Sequence, residues 1–218
     1  MSPVTVTIAL LTGIVIWVLV ARRLTARSWE SGSEAGDIAA VQMAPARLGL
    51  WIFLAVVTSL FSLFLSAYTM RSHHGDWSHV TLPDVLWINT ALLVIGSVSM
   101  QFARNAVGRG LPQRLKLGLA AGGLFAIAFL AGQLVAWGRL RESGQFMQDD
   151  PATAFFYLLT AVHGLHLLGG LWVWARSMTR LLRGAELIDL RLSVELCTVY
   201  WHYLMLVWFA LFAALLYL

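Results

Sequence analysis

VELCTVYWHYLMLVWFALFAALLYL, residues 194–218, decides the fold. This stretch exceeds the roughly 20 apolar residues that a helix needs to cross the hydrocarbon core of a bilayer. Toward the N-terminus, residues 4–20, 48–69, 85–103, 117–137 and 154–175 have the same character. Only 12% of the 218 residues are Asp, Glu, Lys or Arg, and 59% are hydrophobic. A soluble domain carries about twice that share of charge. The expected fold is therefore all-α, a polytopic transmembrane helical bundle and not a soluble enzyme. Residues 1–21 form an N-terminal membrane helix, 22–47 a cytoplasmic linker, and 48–218 a five-helix membrane domain. Arg22 and Arg23 follow the first apolar run and no cation precedes it, which is the pattern of an anchor rather than of a signal peptide.

The formal charge of +4 does not point to nucleic acid, because the arginines cluster at the ends of the apolar runs. Arg22, Arg23, Arg27, Arg47, Arg104, Arg109, Arg114, Lys116, Arg176, Arg180, Arg183 and Arg191 fall on one side of the expected membrane. Arg71, Arg139 and Arg141 fall on the other. The basic side is expected to be cytoplasmic and both termini periplasmic. Asp76, Asp84, Glu142, Asp149 and Asp150 lie on the outer side. Trp77, Trp87 and Trp137 suit the interfacial belt.

Ionisable residues inside a span are costly and are the first candidates for function. Four stand out: His163 and His166 in the fifth run, and Glu195 and His202 in the sixth. His163 and His166 are three apart and share a helix face, a spacing that could serve a metal or haem. No third ligand lies near them in sequence. The favoured reading is interhelical hydrogen bonding, with Gly164, Gly169 and Gly170 allowing close approach. Glu195 and His202 are two turns apart on one face. A structural ion pair or hydrogen bond and a proton-relay or headgroup site remain equally open for them. An uncompensated carboxylate there costs several kcal/mol, so Glu195 is expected to be protonated, paired with Arg191, or bonded to a polar neighbour. His73, His74, Asp76 and His79 in an outer loop read as solvated side chains. The single Cys197 excludes an intramolecular disulfide.

These residues carry a resemblance. Val194–Leu218 resembles the last helix of subunit III of the haem-copper cytochrome c oxidases, with its VE lead-in, its YWHF (here YWHY, including Trp201 and His202) and its VW. HGLHLLGG (His163–Gly170) resembles the family's HGLHV-x-x-G. LGLWIFLA, SAY and LPDVLWINT fall in the family's order, as does Gln133 followed by Trp137. The resemblance covers the second to sixth runs. It implies a helical subunit of a bacterial inner-membrane respiratory oxidase with no redox centre of its own. Haem and copper would sit in partner chains, the catalytic subunit I and the copper-bearing subunit II. This subunit would stabilise the catalytic one, hold phospholipid and support proton uptake and translocation. His163, His166, Glu195, His202, Trp201 and Gln133 are then structural, proton-related or lipid-related. Two family carboxylates are absent, at Val57 and Ala136. That loss also fits an accessory subunit of a nitric oxide reductase or quinol oxidase. A small autonomous transporter is the alternative of another class, but it needs a polar or broken-helix pathway that these runs lack.

Overall fold

The computed structural model describes residues 45–73, 77, 80, 82–145 and 150–217. The expected first span, most of the linker, and His74, Asp76 and His79 lie outside them. Among the described residues there are five helices and no strand. They are α1 (Pro45–Arg71), α2 (Val85–Gly108), α3 (Pro112–Glu142), α4 (Pro151–Leu182) and α5 (Leu187–Tyr217). All five are long and apolar enough to cross a membrane.

The helices outrun the apolar stretches that announce them. α3 has 31 residues, about 46 Å of helix against a hydrocarbon core of about 30 Å. Its excess carries charge: Arg114 and Lys116 at one end, Arg139, Arg141 and Glu142 at the other. Hydropathy marks where lipid tails begin, whereas caps mark where a helix ends. Asp150 caps α4, its carboxylate accepting from Thr153 N–H at 3.2 Å ahead of Pro151 in the first turn. α2, α3 and α4 close alike on Gly110, Gly144 and Gly184, at φ +68°, +80° and +80°. The next residue donates back across each end: Leu111 to Ala106 O, Gln145 to Leu140 O and Ala185 to Arg180 O, at 3.0–3.1 Å. This left-handed closure favours a residue without Cβ and satisfies carbonyls that would otherwise be orphaned.

The chain forms two compact units, residues 1–60 and 61–218. The described part of the first is the start of α1. There the Thr58 and Ser59 hydroxyls donate to Leu54 O and Ala55 O at 2.7 and 3.0 Å, as hydroxyls in a helix do when the backbone is the acceptor within reach. In the second unit α2 and α3 share the widest contact, α5 packs on α2 and α4, and α3 packs on α4. Glycines set the close approaches. Gly123 on α3 accommodates the ring of Trp174, whose Nε1 donates to Leu119 O at 2.8 Å. Gly170 on α4 accommodates Trp201 and Tyr200 of α5. Small residues bring helices together in this way where lipid gives no hydrophobic driving force. The outward faces are apolar in turn: Leu124 is 65% exposed and Trp172 77%.

Gly170 and its neighbour give a paired test. A Cβ at Gly170 would run into Trp201, whereas one at Gly169 meets nothing within 4 Å. Gly170→Leu is expected to destabilise the detergent-solubilised protein by about 1–3 kcal/mol through overpacking. Gly169→Leu should leave the thermal unfolding midpoint close to wild type.

Candidate functional site

Four polar contacts join α2 to α5. At the arginine-rich end, Arg104 Nη2 lies 3.2 Å from Glu195 Oε1, with the two side chains only 16% and 15% exposed. One turn deeper, Thr198 Oγ1 bonds Met100 O at 3.2 Å as well as Val194 O at 2.8 Å on its own helix. Ser97 Oγ lies 3.2 Å from His202 Nδ1. Toward the other end, Trp208 Nε1 donates to Thr90 Oγ1 at 2.9 Å. As α2 is followed back from 104 through 100 and 97 to 90, α5 advances from 195 through 198 and 202 to 208. The helices are therefore antiparallel at a constant register. Each contact removes the cost of a polar group standing alone in hydrocarbon.

Glu195 thus finds its counter-charge on a different helix. Of the expectations for Glu195 (protonation, pairing with Arg191 or a bond to a polar neighbour), the structure shows an ion pair, with Arg104 as a partner. In sequence Arg104 counts only among the cations beyond a span that seemed to end at residue 103, but α2 continues to Gly108 and carries Arg104 against α5. His202 is fixed in its turn. Its Nδ1 lies 2.9 Å from Thr198 O, which can only accept. Nδ1 therefore holds the proton, and Nε2 of the neutral ring is an acceptor.

His163 and His166 do not converge on a shared site. His163 is fully buried, its ring 5.7 Å from Phe129, 5.3 Å from Trp208 and 6.4 Å from Phe61. Neither of its nitrogens has a hydrogen-bond partner among the described residues. It behaves as a fourth ring in an aromatic core that continues through Trp208 stacked on Phe212. His166 Nδ1 lies 2.7 Å from Val162 O, one turn back on its own helix, and its own carbonyl accepts from Tyr200 OH at 2.8 Å. Among the described residues no group of three or more His, Cys, Asp or Glu side chains lies together.

The remaining candidates are packing residues with polar edges. Gln133 Oε1 accepts from Asn89 Nδ2 at 3.3 Å, and Asn89 fits there because Gly132 offers no Cβ to meet it. One turn on, Trp137 Nε1 donates to Thr160 Oγ1 at 3.1 Å. Ala136 is fully buried. Trp201 is 1% exposed against Gly170, so that glycine's surface is filled from within the bundle. Asn89 and Thr90 stand in the LPDVLWINT motif, whereas Ser97 and Thr198 carry no signal in the sequence beyond a polar residue within an apolar run.

The family model for cytochrome c oxidase subunit III matches residues 3–218. The chain belongs to that family. Curated relatives agree. The cytochrome c oxidase subunit 3 of Corynebacterium diphtheriae is 27% identical over 76% of this chain and 84% of its own length. The Bacillus subtilis protein of the same name is 28% identical over 76% and 82%. The cytochrome bo(3) ubiquinol oxidase subunit 3 of Pseudomonas putida is 25% identical over 76% and 82%. The stretches that carried the subunit III resemblance are also those that cross-link the bundle. LPDVLWINT supplies Asn89 and Thr90, HGLHLLGG supplies His163, His166 and Gly170, and the last helix supplies Glu195, Trp201 and His202.

The ion pair can be tested by a cycle. Arg104→Leu or Glu195→Leu alone removes one side of a partly buried ion pair and is expected to cost about 3–5 kcal/mol, discounted for the residual exposure. The double variant Arg104→Leu/Glu195→Leu should recover most of that loss. Accumulation of folded protein in the membrane, followed by unfolding in detergent, reads both effects.

Proposed function

We propose that this chain is the redox-free brace of its oxidase, a membrane-embedded helix bundle that packs against subunits I and II. Membership of the subunit III family makes it a non-catalytic, multi-pass membrane subunit of a haem-copper oxidase, and so part of an oxidoreductase complex. The proposal is drawn at the level the relatives share, since their names include both cytochrome c and ubiquinol oxidases. The observation that carries the brace reading is how the ionisable groups in the spans are used. Glu195 is paired to Arg104, His202 is tied to Thr198 and Ser97, His166 is turned onto its own backbone, and His163 is enclosed by rings. Each group fixes one helix against another or against itself, which favours a chain that supplies rigidity while haem and copper sit in its partners.

The location proposed is a bacterial inner membrane, with the arginine-rich ends of α2 and α4 on the cytoplasmic side, as the basic bias supports. Phospholipid is proposed to lie along α4, where Gly169 is open and Arg176 and Arg180 follow toward the basic end. Support for proton uptake and translocation is proposed to be indirect, through the stability of the assembled complex, because Val57 and Ala136 replace the family's carboxylates.

Purification from the native membrane by a tag on this chain tests the reading. The preparation should contain larger haem-bearing chains and show their visible bands, while the isolated chain should contain no stoichiometric iron or copper. A chain that purifies alone and free of haem would overturn the proposal. Glu195→Ala is expected to lower the amount of assembled complex or to shorten its active lifetime, with Glu195→Gln milder. Initial turnover per assembled complex should stay near wild type in both. A collapse of the initial rate in a fully assembled Glu195→Gln complex would make this carboxylate an obligatory proton carrier instead.

A further inference from the structure

One outward groove of the bundle has polar groups set into an apolar lining. Between α2 and α5 a groove of about 390 Å³ opens to the outside, with Val98 and Phe102 on its wall and Ser97, Gln101, Asn105 and His202 among its lining. Ser97, Gln101 and Asn105 are four apart and form a polar stripe along one side of α2. The stripe runs from the depth of His202 to the last turn of the helix. The outward side of α3, by contrast, presents Leu117, Leu124, Ile127 and Leu134.

The polar groups in the groove are only half used. Gln101 Nε2 donates to Asn105 Oδ1 at 3.2 Å, which leaves the Gln101 carbonyl and the Asn105 amide nitrogen without a partner among the described residues. At His202 the bond to Thr198 O fixes the proton on Nδ1, so Nε2 is an acceptor, also without a partner there. Asn105 is close enough to the helix end to reach interfacial water. His202 and Ser97 are not: Ser97 lies 11 residues before Gly108, about 16 Å along the axis. Lipid tails offer no donor at that depth, and polar side chains in spans are nearly always turned toward protein or water.

We propose that this groove is where a transmembrane helix of a partner oxidase chain docks. That helix carries a hydrogen-bond donor (Ser, Thr, Tyr or Trp) at the depth of His202 and an amide or hydroxyl group level with Gln101 and Asn105. The proposal rests on the oxidase-subunit reading above and adds the face. The chemistry fits a helix better than a phospholipid, because the deepest unmet group is an acceptor where an acyl chain has nothing to donate. The ridge formed by Val98 and Phe102 supplies the apolar packing that a helix interface also needs.

Photo-crosslinking in the intact complex tests this directly. A benzophenone amino acid replaces Val98, 63% exposed, or as a control Leu124, 65% exposed on α3. The expected result is a covalent adduct between position 98 and a haem-bearing chain, with position 124 giving lipid adducts only. Lipid adducts alone at position 98 would overturn the proposal, as would an adduct with a second copy of this chain. Loss of all haem-bearing chains from wild-type preparations would instead bring down the oxidase reading, and this proposal with it. His202→Phe keeps a ring in the groove and removes the acceptor. Because His202 also meets Ser97 in the seam between α2 and α5, the ratio of this chain to haem is read per folded chain recovered from the membrane, and it is expected to fall roughly three- to tenfold. An unchanged ratio would count against the docking site. Because the position 98 probe leaves Ser97 and His202 intact, it decides the matter even if His202→Phe fails to fold.

Discussion

Inside a bilayer a polar side chain has no water to fall back on, and along the seam between α2 and α5 that constraint is met at four points. The pairs 104 with 195, 100 with 198, 97 with 202 and 90 with 208 run the length of the seam at one register. A shift of α5 by one residue would break all four at once, leaving Thr198, His202 and Thr90 only the bonds within their own helices. Van der Waals packing alone would tolerate such a shift far better, since one leucine ridge resembles the next. The polar contacts contribute only modest energy each, but together they make one alignment much cheaper than its neighbours.

The aromatic core depends on that alignment. Trp208 gives its N–H to Thr90 and packs its ring against Phe129, Phe212 and His163. α4 is drawn in from the other side, with Gly170 under Trp201 and the His166 carbonyl on Tyr200. Trp137 and Trp174 have their ring nitrogens committed to Thr160 and to Leu119 O. A bundle built this way holds a fixed outer shape. A fixed shape is what a non-catalytic subunit of a large membrane enzyme can offer to the chains that do the chemistry.

Much of this was legible in the residues. Hydropathy located α1 to α5, and the motifs around His163 and Glu195 pointed to the family. The helix ends were not legible, because composition reports the hydrocarbon layer while Asp150 and the glycines at 110, 144 and 184 set the true limits. For the same reason Arg104 reads as a cation beyond the span, although α2 carries it against Glu195. The pairing that forms joins residues 91 positions apart, and no local pattern announces it. For the histidine pair the favoured reading is hydrogen bonding between helices; in the structure one ring is sealed among aromatics and Nδ1 of the other faces its own backbone. Which of the two a helix face buries depends on how α4 meets α5.

The most direct measurement is the coupling across one rung of the seam, far from the ion pair. Thr90→Val removes the acceptor and Trp208→Phe removes the donor while keeping an aromatic ring, and a double-mutant cycle on unfolding in detergent isolates their interaction. A coupling of about 0.5–2 kcal/mol is predicted for a hydrogen bond in this setting. Strictly additive losses, with no coupling between Thr90 and Trp208, would contradict the view that polar contacts fix the register of α2 against α5.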